Sequence, residues 1–434
     1  MPCRHDPPHQ HHQPQRRERA GAGHRTATCT SCPASPRLAP LPPPQLAALP
    51  ELSAALAARA AEHDRDATFP DGGIRLVHDA GLLTATVAGR YGGAGAGLAA
   101  SVAILRALGR GDPSVALVTA MTLFTHAMQA HGQTWPQRIY EDVLEESATR
   151  PVLINALRVE PELGTPARGG LPATVARWHS GTWWLSGRKI FSTGAVGLRW
   201  MVVWARTDED PARVGSFLVR TDSPGISIER TWDHLGLRAS RSDDVIFTDT
   251  PVPPGATDGL HEPALPGPAP GRPPDEGFLA WNSLGLAALY LGVAAAARDW
   301  LVGFLGERTP SALGRPLATL PRFETAVGEI EAALTGANDL VDGLALDAGD
   351  ETVAGHPAIA KLIATRAAIG AVEQAVALVG NNALTRKNPL ERHYRDVLCA
   401  RVHTPQDDSI LITAGRSALA ASRTDTNDNT TGAH

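Results

Sequence analysis

The chain has 434 residues, of which 43% are hydrophobic and 20% charged, and its formal net charge is -5. That length supports a large core in two or three structural layers, and the composition is that of an ordinary soluble globular enzyme. The charge gives no reason to expect nucleic acid or an anionic membrane as partner, and no run of about 20 uninterrupted apolar residues is present to span a bilayer.

Residues 1–44 are rich in Pro, Arg and His, with almost no apolar periodicity, and are expected to be disordered. Within them Cys29 and Cys32 form a C-x-x-C near His5, His9, His11, His12 and His24. Two thiols without a second such pair, in a segment unable to build a core around an ion, argue against zinc. No metal is expected. The first twelve residues have no apolar h-region, so no secretory signal is expected and the cytoplasm is the expected location.

From Gln45 the composition turns to Ala and Leu, with Leu46, Leu49, Leu52 and Leu56 at helical spacing. Helical patterns follow at residues 73–80, closed by Gly81, and at 98–108. The Asp112-Pro113-Ser114 start opens another, with an apolar run over 115–128. Residues 45–150 therefore read as an all-helical domain. From about Val152 the period changes to that of short strands, at 173–178, 183–186, 200–205, 215–219, 226–229 and 244–247, which predicts a small β-barrel or sandwich over 151–255. A Pro/Gly-rich loop occupies 256–274. Helices are then predicted at 277–307, 321–349, 355–385 and 406–422, an antiparallel four-helix bundle over 275–425, with a tail at 426–434. The expected fold class is α+β, mostly α.

Six strings in this order resemble the acyl-CoA dehydrogenase superfamily over roughly residues 45–420. They are Asp79-Ala80-Gly81-Leu82 with Arg90-Tyr91-Gly92-Gly93-Ala94-Gly95, and Gly187-Arg188-Lys189-Ile190-Phe191-Ser192-Thr193-Gly194. Then come Pro224-Gly225-Ile226, the run from Asp233 to Ser240, the run from Asp244 to Pro253, and Tyr394-Arg395-Asp396. The resemblance implies an N-terminal helical domain, a small central β-barrel, a C-terminal four-helix bundle, a flavin cofactor and a homotetramer. The Ala-rich stretches 284–300 and 364–380 suit subunit packing, with a buried intra-chain core as the alternative.

By that resemblance, the strand through Leu157 and Val159 runs beside the isoalloxazine ring and bonds it through backbone groups. Thr193 donates toward the N5/O4 region, and Phe191 packs on the ring's back face, as suits a flat π-system. Arg308, and Gly380 with Asn381, take positions that reach the dinucleotide, Arg308 that of a neighbouring subunit. The altered strings around them make FAD the expected flavin and FMN the alternative. The loop from Glu160 to Gly170 is expected to line the mouth of the site, with Thr165 and Arg168 as substrate contacts.

Dehydrogenation of an acyl-thioester needs a carboxylate opposite the flavin to take the α-proton. The two positions where the family places it fall at Thr404 and near Asn282, and neither is a carboxylate. Asp275 and Glu276 lie just upstream. Arg395-Asp396 followed by His403-Thr404-Pro405 resembles instead the flavin monooxygenases of this fold, in which such a histidine steadies a hydroperoxide or shuttles a proton. Imidazole, with an ordinary pKa near 6.5, suits that work. Ser192 falls where some of these enzymes place a hydroxyl beside the flavin. The expected catalytic residues are thus His403 and Ser192, with Asn282 facing substrate. Three functions stay open: a monooxygenase served by a flavin reductase, an acyl-CoA or acyl-carrier-protein dehydrogenase with a relocated base, and a non-catalytic flavoprotein.

Overall fold

Residues 43–163, 170–261, 276–347 and 356–428 are described by the computed structural model. Cys29, Cys32, Thr165, Arg168 and Asp275, and the expected disorder of the N-terminal extension, lie outside these residues. Among the described residues, six α-helices precede the first strand: α1 (Pro43–Ala47), α2 (Leu49–Asp66), α3 (Asp71–Asp79), α4 (Leu98–Gly111), α5 (Pro113–Gly132) and α6 (Gln137–Ser147). The start of α5 is fixed as its sequence signals: the Asp112 carboxylate accepts from the amides of Ser114 at 2.8 Å and Val115 at 3.3 Å.

Eight strands follow: β1 (Leu153–Leu157), β2 (Val175–His179), β3 (Thr182–Lys189), β4 (Leu198–Thr207), β5 (Val214–Arg220), β6 (Ile226–Glu229), β7 (Asp244–Pro251) and β8 (Thr257–His261). They form one sheet in the order β6-β7-β3-β2-β4-β5-β8. β5 takes one edge of β4. Its other edge pairs in parallel with β1 over Leu198–Val203 and with β2 at Arg206 and Thr207. The expected small barrel is thus realised as a single eight-stranded sheet. β8 lies in what the sequence presents as a Pro/Gly-rich loop.

The last third is helical: α7 (Glu276–Glu307), α8 (Pro321–Asp347), α9 (Pro357–Val379), the short α10 (Asn381–Leu384), α11 (Leu390–Leu398) and α12 (Asp407–Asp428). The stretch expected as one helix over 355–385 breaks at Gly380, whose φ of 58° and ψ of -129° suit glycine alone. α7 and α9 are each long and apolar enough to cross a membrane. α7 is instead a core helix, packed by α4, α5, α8, α9 and α11. α4 approaches it closely because Gly109 lies against the Leu289 backbone and Gly292 against that of Arg106; a Cβ at either would collide with a carbonyl. This crossing fixes α7, and with it the ceiling of the site described next.

Candidate active site

The end of β3 and the segment after β1 are locked together from inside. Lys189, fully buried, donates to Glu160 Oε1 at 2.6 Å and to the Trp204 carbonyl at 2.5 Å. Glu160 also accepts from the amides of Ala173 and Thr174 and from the Thr174 hydroxyl. Burial pushes the Glu160 carboxyl up, but its bonds from Lys189 and Thr174 outweigh that and hold it below the usual range. The same burial brings the Lys189 amine down to about 8. Glu160, expected at the mouth of the site, is therefore an internal anchor.

On this anchor stands a ledge suited to a flat ring. Phe191 is 52% exposed at a φ of 54°, backed edge-on by Trp232 at 6.3 Å and His234 at 5.8 Å. An open aromatic face held in a left-handed backbone is a costly arrangement unless something flat covers it. Thr193 is half-buried, its carbonyl bonded by Asn155 Nδ2 at 3.0 Å and its hydroxyl by Ser242 at 3.3 Å. β1 ends at Leu157, whose side chain is buried, so Leu157 can offer a ligand only backbone. The Val159 carbonyl already accepts from the Ile190 amide at 3.0 Å. Ser192 is buried, and its Oγ has no hydrogen-bond partner among the described residues.

The His403-Thr404-Pro405 loop is gripped at each carbonyl. Lys361 Nζ donates to the carbonyls of His403 at 2.8 Å and Pro405 at 2.7 Å, and Asn282 Nδ2 donates to that of Thr404 at 2.5 Å. The two positions where a dehydrogenation base is expected, 282 and 404, thus meet each other, and an amide–carbonyl bond joins them. Asn282 thus holds the loop through one amide N–H.

His403 Nδ1 lies 2.7 Å from the hydroxyl of Tyr290, a side chain fully buried in α7. Burial raises the Tyr290 phenol well above its usual range, so it keeps its proton, and no other acceptor for it is recorded among the described residues. Tyr290 therefore donates to Nδ1, which assigns the remaining imidazole proton to Nε2. His403 retains some open surface, yet it sits deep, and burial followed by the Lys361 charge lowers its pKa to about 4. At neutral pH it is an uncharged donor with a fixed tautomer.

Sequence reasoning missed one cation. Arg158 follows directly on β1, keeps an exposed side chain, and lies over the Phe278 ring at 5.5 Å. Phe278 and Asn282 are one helical turn apart, so Arg158, Phe278 and Asn282 lead to the loop that carries His403. Although Arg158 keeps open surface, its charged end is hemmed in by surrounding protein, and the resulting desolvation lowers its pKa against the pull of Asp258; burial raises that of Asp258, which accepts from Thr134 at 3.0 Å. The signal was an arginine where a flavin-side strand would otherwise be apolar.

Arg308 and Gly380 stand elsewhere. Arg308 is exposed just beyond the far end of α7, which at 1.5 Å per residue puts it roughly 40 Å from Asn282. Gly380 and the exposed Asn381 join α9 to α10. No group of three or more His, Cys, Asp or Glu side chains suited to a metal occurs among the described residues.

Comparison with known proteins agrees with this layout. Three family domains match in order: the acyl-CoA dehydrogenase N-terminal domain at residues 51–140, the middle domain at 158–250 and the C-terminal domain at 284–407. The putative acyl-CoA dehydrogenase YdbM of Bacillus subtilis is 34% identical over 356 residues, covering 81% of this chain and 90% of that protein. The L-evernosamine nitrososynthase of a Micromonospora species is 33% identical over 367 residues, covering 79% and 82%. Among solved structures, KijD3 in complex with FMN and dTDP-3-amino-2,3,6-trideoxy-4-keto-3-methyl-D-glucose superposes with a TM-score of 0.68 at 27% identity, covering 88% of this chain and 95% of that one.

Proposed function

This chain belongs to the acyl-CoA dehydrogenase family of flavin-dependent oxidoreductases, and from that premise we propose that it is a monooxygenase using reduced flavin and O2. The observation that carries the reading is the junction of Asn282 with Thr404, which puts neutral groups at both base positions, directly beside a neutral histidine. The residues present fit a flavin: an open aromatic ledge at Phe191, a hydroxyl at Thr193 and a donor at His403. When bound and reduced, the flavin supplies two electrons to O2, so that one oxygen atom enters the substrate and the other leaves as water.

The chain's own groups do the rest. His403 Nε2–H offers a hydrogen bond where negative charge develops on oxygen, and Tyr290 keeps that proton on Nε2 by occupying Nδ1. Lys361 and Asn282 hold the loop so that the donor does not wander. Arg158 presents a cation along the cleft, which favours a substrate bearing an anionic group. The similarity to the nitrososynthase and to KijD3 supports oxidation of an amine nitrogen as one chemistry such a site could serve.

FAD is the proposed flavin, and the FMN of the KijD3 complex names the alternative to test against it by releasing and identifying the cofactor. A homotetramer is proposed because Arg308 is too distant to serve its own chain's site, and because Ile363, Val402, Leu411 and Ile412 leave apolar surface exposed on the bundle. A separate reductase would supply the electrons.

The rival reading, dehydrogenation, draws on the resemblance to YdbM and needs a carboxylate such as Asp258. Anaerobic addition of a panel of acyl-CoA thioesters to the oxidised flavoprotein tests between them. The monooxygenase reading expects no bleaching of the flavin; rapid bleaching by any of them would overturn it.

A further inference from the structure

A cavity lined in part by His234, which also backs Phe191, lies where α2, the loop before α11 and the 234–238 segment meet. Its volume is about 340 Å³, within the usual range for small-molecule sites. Six fixed cations line it: Arg65, Arg238, Arg386, Lys387, Arg392 and Arg395. Its carboxylates are Asp64 and Glu391, and both are spent on Arg395. In a chain of formal charge -5, this is a local inversion of sign.

Arg392 gives the cavity its meaning. It is 6% exposed, and its Nε and Nη1 are buried with no hydrogen-bond partner among the described residues. The carboxylates in electrostatic reach are Asp112, which caps α5, and Asp396, which accepts from the Leu237 amide; neither bonds the guanidinium. Two buried guanidinium nitrogens without acceptors cost stability that the charges of Asp112 and Asp396 offset only in part. Arg386 and Lys387 are exposed at the mouth and form no ion pair among the described residues. The planar fork of Arg392 matches phosphate oxygens, and the two mouth cations would neutralise the rest of the charge.

We propose that this cavity binds the phosphate or diphosphate group of a small molecule, with Arg392 as the buried contact and Arg386 and Lys387 as outer contacts. The claim is independent of the monooxygenase reading. One chemistry has two sources here, a separate phosphorylated ligand or the diphosphate of a flavin dinucleotide.

Calorimetric titration of the full chain with inorganic pyrophosphate, with and without FAD loaded, tests the proposal. Saturable binding of one pyrophosphate per chain, weakening as salt is raised, is expected. Binding only to FAD-free protein would assign the site to the dinucleotide's own diphosphate. Binding to both forms would assign it to a separate ligand. The surface variant R386A/K387A should weaken binding about tenfold, and R392M should abolish it. Because the Arg392 charge also favours the buried carboxylates of Asp112 and Asp396, R392K, which keeps the charge and loses the planar fork, separates a binding role from a structural one and should weaken pyrophosphate binding with the unfolding temperature near the wild type. The proposal is overturned by an absence of saturable binding at millimolar pyrophosphate in both forms. Equal affinity in all variants would overturn it as well.

Discussion

Replacing Tyr290 by Phe removes one oxygen atom from a fully buried ring and leaves the packing of α7 intact. The deleted hydroxyl is the donor to His403 Nδ1 at 2.7 Å. Leaving a half-buried acceptor without its partner costs about 1–3 kcal/mol, and about 1.4 kcal/mol corresponds to tenfold in rate. Y290F should therefore lose roughly tenfold in the rate of the oxygen-dependent step, with little change in KM. A second signature separates tautomer control from simple loosening. With Nδ1 free to accept a proton, the His403 pKa should rise from about 4, and the acid limb of the pH–rate profile should move up with it. Steady-state turnover of the flavoprotein between pH 4.5 and 8, wild type against Y290F, reads both quantities. Unchanged rate and an unmoved acid limb in Y290F would refute the assignment of Nε2 as the proton-bearing nitrogen.

The other expectations concern the grip, the ledge, the cation and the acid stability. Lys361→Met should free the carbonyls of His403 and Pro405, each bond to a charged donor being worth about 1.5–3 kcal/mol; turnover should fall while flavin affinity, read by fluorescence titration, stays near the wild type. Phe191→Ala should do the reverse and weaken flavin binding about tenfold. Arg158→Gln should raise KM for an anionic substrate more than it lowers kcat, and equal effects on a neutral analogue would remove its role in recognition. Burial depresses His126 to about 4, His393 to about 3 and His403 to about 4, with nearby cations adding to the last two. Below pH 6.5 the unfolded chain takes up protons that these three histidines refuse in the folded chain, so their contribution is lost as pH falls toward 4, offset in part by Asp396, which burial raises to about 7. A flat unfolding temperature between pH 7 and 4.5 would contradict this.

Much of the architecture was legible because burial imposes periodicity. The 3.6-residue period placed α4, α5, α7 and α8 to within a few residues, and alternation located the middle strands. β8 escaped because its run sits beside Gly255 and a Pro-rich stretch, and α11 because Leu390–Leu398 is short and heavily charged. The site was legible in part. His403 and Phe191 showed as motif residues, whereas Tyr290 and Lys361 lie 113 and 42 residues from His403 and are joined to it only by the fold. Each did leave a trace, as the one tyrosine of α7 and the one lysine of α9.

The central claim is that His403, as a neutral donor, serves a reaction of reduced flavin with oxygen. Its most direct test is to mix the anaerobically reduced flavoprotein with O2 in a stopped-flow spectrometer, for wild type and His403→Ala. The account expects a transient absorbance that precedes the return of the oxidised spectrum in the wild type and is shortened or lost in His403→Ala. Direct, featureless reoxidation at the same rate in both proteins would contradict it.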